Sequence, residues 1–439
     1  MSVVGIITEY NPLHEGHAYH LNIASKITGA SVCVCILSSN FVQRGEPALV
    51  HKWARAQMAL SSGANLVLEL PSAFSCASAE YFASGAVKIL ESLNCIDYLC
   101  FGSEEGNITT LERTAEILAF ENDDFKKTLR LALDEGLSFA VARQKAIEAA
   151  HLGVQKQNNL TENAAKSSEK TFINFQHALT KPNNILGIEY IKAIKRLGSS
   201  IKPITIERIG HEYHSPDQAS SLSSATAIRQ YLKENTTPHL DLRSDPFLQN
   251  NLPQSSLQIL SEEFAQGRGQ VFPEAYEGIL LHLLRRTPES ELSRLPYMGE
   301  GLENRLKQAA MRSVSYQELL SSVVTSRYPA SRIKRIFCAL LTGMTGEFLE
   351  ELKGNGYAQY IRVLGFNETG RKLLASIKKK AQLPLITKPS KYSKLENPLA
   401  RRLFEHEIHA TDVYVLGYAN PTQRLGGTEL TTSPLYIKS

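Results

Sequence analysis

Near its start the chain reads Gly5-Ile6-Ile7-Thr8-Glu9-Tyr10-Asn11-Pro12-Leu13-His14-Glu15-Gly16-His17. The apolar residues before Thr8 predict a strand, the polar residues around Asn11 predict a turn, and a helix is expected to begin near His17. A helix that begins directly after a strand presents unpaired backbone N–H groups and the positive end of its dipole to an anion. Gly16 allows close approach of the backbone, and His14 and His17 supply two side-chain donors. The segment therefore predicts a phosphate-binding site.

Strands and helices alternate from this segment to about residue 240. Further strands are predicted at 31–37, 65–70, 96–101 and 203–209. Because the connections are short, the alternation predicts parallel βαβ units. We therefore expect a Rossmann-like α/β domain over 1–240, with a helical insertion at about 107–180. Ligands bind to such sheets beyond the carboxyl ends of the strands, where we expect the loops 8–17, 38–47 and 102–105.

The remainder of the chain, 241–439, is predicted to be mostly helical with a few short strands, at 412–416 and 435–437. Ten Lys or Arg residues and one acid, Glu396, lie between Arg371 and Arg402. This segment carries +9, which leaves −5 for the rest of a chain whose net charge is +4. A local basic field favours a polyanion-docking surface, although a solvated face is the commoner meaning of a single basic run. The candidate contacts are Arg332, Lys334, Arg335, Lys378, Lys379 and Lys380.

The composition is that of a globular, cytoplasmic protein. The 439 residues are 43% hydrophobic and contain no apolar run long enough to span a membrane, and residues 1–10 lack a signal-peptide pattern. The six cysteines include no Cys-x-x-Cys pair and are expected to be buried, reduced thiols. His211 and His214 have the spacing of metal ligands but no third ligand nearby in the sequence, so we expect no metal site. No membrane or protein partner is indicated.

The pattern His-x-Gly-His after a strand resembles the signature of the HIGH-type nucleotidylyltransferases, which transfer a nucleotide and release pyrophosphate. Four matching letters alone leave His14 and His17 equally well explained as ordinary loop and helix histidines. A second segment, Ser223-Ser224-Ala-Thr226-Ala-Ile228-Arg229, resembles the Ser-x-Thr-x-Ile-Arg segment that closes the same site over the β- and γ-phosphates. Both motifs occur in the right order, each at a predicted helix start, which favours the nucleotide site.

Further segments are similar to one family within that superfamily, the bacterial tRNA(Met) cytidine acetate ligases. They are Thr8-Glu-Tyr-Asn-Pro12, Phe41-Val-Gln-Arg-Gly-Glu-Pro47, Lys52-Trp-Ala-Arg55, Glu69-Leu-Pro71, Phe101-Gly-Ser-Glu104 and Lys181-Pro-Asn-Asn-Ile-Leu-Gly187. The resemblance implies an enzyme that activates acetate with ATP to acetyl-adenylate and releases pyrophosphate. The acetyl group would then pass to N4 of the wobble cytidine of elongator tRNA(Met), giving N4-acetylcytidine.

The resemblance also implies which residues do this work. It assigns ATP binding to the segment from Ile7 to His20, including Ala18 and Tyr19, and catalytic roles to His14, His17 and Arg229. Further ATP contacts are implied at Gly102, Asn183, Asn184, Arg208, Ile209, Ser224 and Thr226. Attack of a carboxylate on the α-phosphate needs positioning and charge neutralisation, and no protein nucleophile. Mg²⁺ is expected to accompany ATP, and the basic residues of 241–439 are expected to bind the tRNA.

Some alternatives stay open at this point. Many HIGH-type transferases carry a small hydroxyl residue and an Asp before the proline, whereas this chain has Glu9 and Asn11. A carboxylate there repels a triphosphate unless it turns away or binds Mg²⁺, or it orients the acceptor amine. Gln43, Arg44 and Glu46 fit a salt-bridged loop as well as contacts to acetate or the target base. Two other functions remain: a cofactor-making nucleotidylyltransferase with a small phosphorylated acceptor, and an RNA-binding protein with a vestigial nucleotide site.

Overall fold

The structure of the protein is a computed structural model that describes residues 2–137, 139–157, 181–207, 223–235 and 241–438. The chain forms two compact units. The first unit combines residues 1–96 with 210–439, and the second comprises residues 97–209. The division into 1–240 and 241–439 stays a prediction.

The secondary structure of the described ranges alternates between strands and helices in its N-terminal part and is mainly helical later. The strands are β1 (Val3–Thr8), β2 (Val32–Ser38), β3 (Phe41–Val42), β4 (Glu46–Pro47), β5 (Leu66–Leu70), β6 (Tyr98–Ser103), β7 (Lys202–Glu207), β8 (Ile361–Asn367), β9 (Leu385–Ile386) and β10 (Leu435–Ile437). The helices up to residue 265 are α1 (Glu15–Thr28), α2 (Lys52–Ser61), α3 (Ser72–Ser75), α4 (Ala79–Ser92), α5 (Ile108–Ala119), α6 (Asp123–Asp134), α7 (Phe139–Gln157), α8 (Pro182–Leu197), α9 (Ala225–Asn235), α10 (Pro246–Asn251) and α11 (Gln254–Ala265).

The later helices are α12 (Glu277–Arg286), α13 (Glu289–Leu292), α14 (Leu302–Arg312), α15 (Tyr316–Val323), α16 (Ala330–Thr342), α17 (Gly346–Gly354), α18 (Glu368–Lys380), α19 (Pro398–Val415) and α20 (Thr428–Thr431). Short 3₁₀ helices lie at Pro273–Tyr276, Pro389–Lys394 and Pro421–Gln423. Within the part of the chain that the structure describes, no helix has both the length and the apolar character needed to cross a membrane.

The sheet of the first unit combines parallel strands from the N-terminal part of the chain with strands from its C-terminal part. β1 pairs in parallel with β2, and β2 in parallel with β5, so the predicted βαβ alternation is confirmed here. All residues of β2 and β5 are buried, as expected for parallel strands that are covered on both faces. β8 then pairs antiparallel with β5, and β10 pairs in parallel with β8. The α/β fold class is confirmed, and late strands extend the sheet.

One predicted strand of the C-terminal part is wrong. Residues 412–416 lie at the end of α19, which runs to Val415. Ala410 and Tyr414 of this helix are fully buried, at the i and i+4 spacing of a helix face. A short apolar run such as Val413 to Val415 fits a strand and a buried helix equally well, and here the packing of the helix decides.

The second unit is built on a parallel pair of strands, β6 and β7. α5 packs against α8, and α6 packs against α7. Gly187 of α8 lies directly over the ring of Phe101, since a Cβ at this position would be 2.5 Å from Phe101 Cε2. A glycine at this position therefore lets the helix lie close to the sheet.

The hydrophobic core of the C-terminal helices also receives a residue from the N-terminal part. Phe41 of β3 is fully buried in a cluster that includes Tyr276 and Tyr414. Its ring meets that of Tyr414 edge-on, with 6.0 Å between the centroids. The carbonyl of Phe41 accepts a hydrogen bond of 2.6 Å from Ser75 Oγ. Burying a phenylalanine stabilises by roughly 2–3 kcal/mol, so the start of the loop 41–47 is anchored by helices far along the chain.

Candidate active site

The turn between β1 and α1 ends in a helix cap made by two histidines. His14 is the N-cap residue of α1, and its Nδ1 accepts a hydrogen bond of 3.1 Å from the backbone N–H of Gly16. In return, Nδ1 of His17 accepts a hydrogen bond of 3.4 Å from the backbone N–H of His14. This is the reciprocal arrangement of a capping box, with imidazole rings in place of the usual hydroxyl and carboxylate.

The cap fixes the tautomer of both rings. A neutral imidazole carries one proton, and a nitrogen that accepts an N–H bond cannot also hold that proton. Because both Nδ1 atoms accept, the proton of each ring lies on Nε2. His14 and His17 are therefore N–H donors at Nε2, as a phosphate-binding role requires.

The cap also changes the predicted phosphate site in one respect. The sequence predicts unpaired backbone N–H groups at the start of α1, but the Gly16 N–H already donates to His14. The N–H groups of His17 and Ala18 donate to the carbonyl of His14, at 2.8 and 3.1 Å. A Cβ at Gly16 would lie 3.0 Å from Cε1 of His14, so glycine lets the ring lie across the backbone. In this structure the ring N–H groups therefore replace the capped backbone groups as donors.

Aromatic packing holds the two histidine rings in place. They stack with 3.7 Å between centroids and 27° between planes. Tyr10 meets His17 edge-on at 5.1 Å, and it is buried with a φ of 46°. Its hydroxyl lies 3.8 Å from Sγ of Cys35 in β2. The sheet thus positions Tyr10, and Tyr10 positions the histidine pair.

Arg229 lies against the same turn. Its Nη1 donates a 2.8 Å hydrogen bond to the carbonyl of Asn11, while the Asn11 side chain accepts 2.7 Å from the Leu49 N–H. Nη2 of Arg229 lies 3.5 Å from Thr226 Oγ1 and 3.7 Å from a carboxylate oxygen of Glu46. Burial lowers the pKa of Arg229, but a guanidinium stays charged at any physiological pH. The structure thus brings Arg229 to the turn that leads to His14 and His17, although more than 200 residues separate Arg229 from them in the sequence.

The start of α9 carries the other residues of the second motif. Ser224 Oγ accepts a 3.2 Å hydrogen bond from the Ala227 N–H, so Ser224 caps the helix. Thr226 is exposed one residue into the first turn. Arg229, which contacts the turn after β1, lies in this same helix, five residues after Ser224.

A clamped loop, residues 43–46, borders this cluster. Gln43 donates its N–H to Glu9 Oε1 at 2.7 Å and accepts 2.8 Å from Nε of Arg335. Glu46 pairs with Nζ of Lys334. Gly45 has a φ of 79°, and a Cβ there would be 2.4 Å from the backbone N of Arg335. Glu46 is thus salt-bridged and α16 holds the loop in place, while a contact of this loop with acetate or the target base stays an open alternative.

The exposed side chain at the tip of this loop is Arg44. The described residues give it no hydrogen bond and no ion pair, yet its charge acts on both Glu9 and Arg229. Burial raises the pKa of Glu9, and the Gln43 N–H together with the positive charges of Arg229, Arg55 and Arg44 offsets only part of that rise. The cluster is therefore rich in cations and contains one carboxyl group whose pKa burial raises.

Known proteins resemble this chain over nearly its whole length. A family model described as HIGH Nucleotidyl Transferase matches residues 1–429. A tRNA(Met) cytidine acetate ligase of Acetivibrio thermocellus is 44% identical over 431 residues, which are 98% of this chain and 99% of that protein. Its counterpart in Caldicellulosiruptor bescii is 40% identical over 440 residues and covers 100% of both proteins. This chain belongs to the tRNA(Met) cytidine acetate ligase family.

Solved structures of the family agree with this membership. The crystal structure of Thermotoga maritima TmcAL bound with alpha-thio ATP superposes with a TM-score of 0.87 at 34% identity, over 100% of both chains. The apo form of the same protein gives a TM-score of 0.88. The family resemblance drawn from the sequence segments is confirmed, as are the class of ATP-dependent ligases and the nucleotidyltransferase fold.

The second unit of this ligase family member contains five of the residues predicted to contact ATP, and the structure describes three of them. Gly102 lies in β6, opposite Ile206 of β7. The Asn184 Oδ1 accepts the N–H groups of Glu104 and Glu105, at 2.9 and 3.2 Å. The Asn183 side chain donates 2.6 Å to the Glu104 carboxylate, which also accepts the Asn184 N–H. The asparagines thus join the loop after β6 to the start of α8, and their contact with ATP stays a prediction. Arg208, Ile209, His211 and His214 lie outside the described residues.

The residues predicted to bind tRNA fall into two groups. Lys378, Lys379 and Lys380 are exposed in the last turn of α18, a helix that overlaps the start of the segment 371–402. In α16, by contrast, Nε of Arg332 donates to the carbonyl of Tyr297, while Lys334 and Arg335 hold the loop 43–46. The tRNA contacts stay a prediction for all six. The three α16 residues also make contacts within the protein, which their basic character alone did not predict.

A buried charge cluster in the first unit was missed by the sequence reasoning. Nζ of Lys52 in α2 contacts carboxylates of Glu69, Glu407 and Glu429, with 2.9 Å to Glu407, and all four side chains are fully buried. Arg362 of β8 lies 3.5 Å from Glu429. Among the described residues, the three glutamates are the only group with a spacing suited to a metal ion. The ammonium group of Lys52 lies among them, so they do not form a metal site.

Proposed function

We propose that this protein is an ATP-dependent tRNA(Met) cytidine acetate ligase. It activates acetate to acetyl-adenylate, releases pyrophosphate, and transfers the acetyl group to N4 of the wobble cytidine of elongator tRNA(Met). The observation that carries the proposal is the pair of Nε2 donors on His14 and His17, set beside Arg229 at the end of β1. Membership of the ligase family over the whole chain supports it.

The first half-reaction needs charge stabilisation above all. A carboxylate oxygen of acetate attacks the α-phosphate, and pyrophosphate leaves with the electron pair of the broken P–O bond. Nε2–H groups of His14 and His17 donate to phosphate oxygens, and Arg229 with Ser224 and Thr226 holds the departing pyrophosphate. Fixed donors of this kind need no reorganisation as charge shifts from the α-phosphate to the leaving group, which is why they lower the barrier. The other residues of the segment from Ile7 to His20, apart from Glu9, supply the remaining contacts to ATP in this proposal.

We propose that Mg²⁺ binds together with ATP. Around Arg229 the described carboxylates are already engaged, since Glu46 pairs with Lys334 and Glu9 accepts the Gln43 N–H. Mg²⁺ is commonly held by phosphate oxygens, waters and one or two carboxylates. The residues therefore suit a metal carried by the triphosphate, which would neutralise part of its charge.

The tRNA is proposed to dock on the region 241–439, while 1–240 supplies the catalytic residues. The exposed lysines 378–380 lie in a segment that carries +9, a charge that attracts an RNA backbone. Cytoplasmic tRNA is the substrate in this proposal.

Pyrophosphate exchange tests the first half-reaction. The wild-type protein is incubated with ATP, labelled pyrophosphate and acetate, with and without tRNA, and exchange into ATP is expected only when acetate is present. His14→Ala and His17→Ala are each expected to reduce exchange by ~10²–10³-fold, because each removes a donor to the phosphates. His282→Ala, which alters an exposed histidine in α12, is the matched control and should exchange like the wild type.

Nucleoside mass spectrometry tests the product. After incubation with labelled acetate, ATP and tRNA, labelled N4-acetylcytidine is expected. Exchange that requires a phosphorylated small molecule instead of acetate would identify a cofactor-making nucleotidylyltransferase. Tight tRNA binding without any exchange would identify an RNA-binding protein with a vestigial nucleotide site.

A further inference from the structure

Glu9 is held at the end of β1 by two hydrogen bonds, one to its carboxyl group and one to its backbone carbonyl. Its Oε1 accepts the Gln43 N–H at 2.7 Å. The backbone carbonyl of Glu9 accepts 2.7 Å from Nη1 of Arg55, a fully buried residue of α2. The loop 43–46 and α2 together therefore fix the position of this side chain beside the turn that bears the histidine pair.

The neighbouring groups are poor proton acceptors. Both Nδ1 atoms of His14 and His17 accept backbone N–H groups, so the rings present protonated Nε2 atoms. The carboxylate of Glu46 is engaged by Lys334 and faces Arg229. Among the side chains that bond to the turn, to its cap or to Arg229 in the described ranges, Glu9 remains as the carboxyl group that can take up a proton.

We propose that Glu9 is the general base of the acetyl-transfer half-reaction, an inference that rests on the proposed function. The lone pair of cytidine N4 attacks the carbonyl carbon of acetyl-adenylate. The new C–N bond forms while the C–O bond to the phosphate breaks, and AMP leaves with that electron pair. N4 arrives with two hydrogens and keeps one in the amide, so one proton passes to the carboxylate of Glu9 and from there to water.

The electrostatics of the position suit this order of events. A carboxylate beside a triphosphate is repelled by it, and burial already raises the pKa of Glu9, so both effects favour the protonated form of Glu9 while ATP is bound. Departure of pyrophosphate removes negative charge, which favours the ionised form just before the amine must lose its proton. Among the described residues, the charged groups that act on Glu9 are the arginines Arg229, Arg55, Arg44 and Arg335.

The test separates the two half-reactions in Glu9→Gln. Glutamine still offers an oxygen to the Gln43 N–H, so the loop contact is kept, but the base is removed. We expect single-turnover acetyl transfer to tRNA to be slower by ~10²–10⁴-fold, and this loss to exceed any loss of acetate-dependent pyrophosphate exchange by at least about tenfold. The rise of the wild-type transfer rate with pH through the Glu9 pKa should disappear. Glu9→Asp, which keeps a carboxyl group, should retain that rise at a lower rate.

Glu46→Gln is the matched control, because it removes a carboxylate charge beside Arg229 without removing the base. It should keep the pH-dependent rise in transfer. Equal loss of exchange and transfer in Glu9→Gln would overturn the inference and make Glu9 an ATP-binding residue. Unchanged transfer, or a slower transfer with the wild-type pH profile, would also overturn it. Absence of acetate-dependent exchange in the wild type would instead refute the proposed function, so the two failures are distinguishable.

Discussion

Replacing Glu69 by glutamine should flatten the dependence of stability on pH between about pH 5 and pH 8. The buried cluster contains three carboxylates, of Glu69, Glu407 and Glu429, against the two cations Lys52 and Arg362, so its formal charge is −1. A fully buried net charge is costly, and uptake of one proton removes it.

The proton belongs on Glu69. Burial first, and then the negative charge of Glu407, raise the pKa of Glu69 to about 8. Oε2 of Glu69 has no hydrogen-bond partner among the described residues, so no donor stabilises a negative charge on that oxygen. For Glu407, burial works in the same upward direction, but Lys52 and the hydrogen bonds from Ser39 and Ser72 hold its pKa below the ordinary value. The two shifts differ in sign because only Glu407 is fully bonded.

The sign and size of the effect follow from proton linkage. The folded protein keeps the proton on Glu69 up to about pH 8, whereas the unfolded chain releases it near the ordinary value of 4.5. The contribution of this group to stability is therefore fully present below that value and is lost as the pH rises towards about 8. Between these limits the free energy of unfolding falls by about 1.4 kcal/mol per pH unit. Glutamine at this position mimics the protonated acid and has no such slope.

Denaturant unfolding at several pH values between 5 and 8 measures the slope for the wild type and for Glu69→Gln. The difference between the two slopes isolates Glu69, because all other titrating groups are shared. Equal slopes would refute the reasoning and show that Glu69 is ionised in the folded protein. Lys52→Met is a second check: it leaves the carboxylates without their central cation and should cost roughly 3–5 kcal/mol at neutral pH.

Three further changes test the site and the docking surface. Arg229→Ala should reduce kcat/KM for ATP in the exchange assay by ~10²–10³-fold and leave the Kd for tRNA unchanged, and the reverse result would assign Arg229 to RNA binding. Gly45→Ala places a Cβ 2.4 Å from the Arg335 backbone in a left-handed conformation, and should lower stability by at least ~1–2 kcal/mol in a melting experiment. Replacing all three lysines 378–380 by glutamine should weaken tRNA binding, with exchange and melting unchanged. The slope of log K against log salt should become shallower by ~0.7–0.9 for each phosphate that the protein no longer neutralises. Unaltered tRNA affinity at two salt concentrations would exclude these lysines from the docking surface.

The parts of the fold that local signals encode were predictable from the sequence. Local sequence patterns predicted the strand before Thr8, the turn at Asn11 and the start of α1, because strand and helix patterns are local. The arrangement of the cap was not. A histidine can cap a helix or leave its first N–H groups open, and only the orientation of the rings of His14 and His17 shows which of the two occurs.

Features that depend on distant partners were beyond the sequence. Arg335 was predicted as a tRNA contact because it is basic, yet its Nε donates to the carbonyl of Gln43, because a long side chain can direct its charge to a backbone acceptor. The pairing of β8 with β5 joins segments almost 300 residues apart, and no pattern within a single strand names its partner. The segments around Lys52 and Glu69 were recognised only as family resemblance, although a lysine or glutamate in an apolar run is itself a signal of a buried charge partner.

These long-range contacts bear on which residues the chemistry needs. Lys52 lies on the helix that also carries Arg55, the residue that bonds to the carbonyl of Glu9. Two of the carboxylates around Lys52, Glu407 and Glu429, come from α19 and α20. The loop that bonds to Glu9 is in turn clamped by α16. The residues around the β1–α1 turn are thus held by helices of the C-terminal part, so we expect changes in these helices to impair adenylate formation as well as tRNA binding.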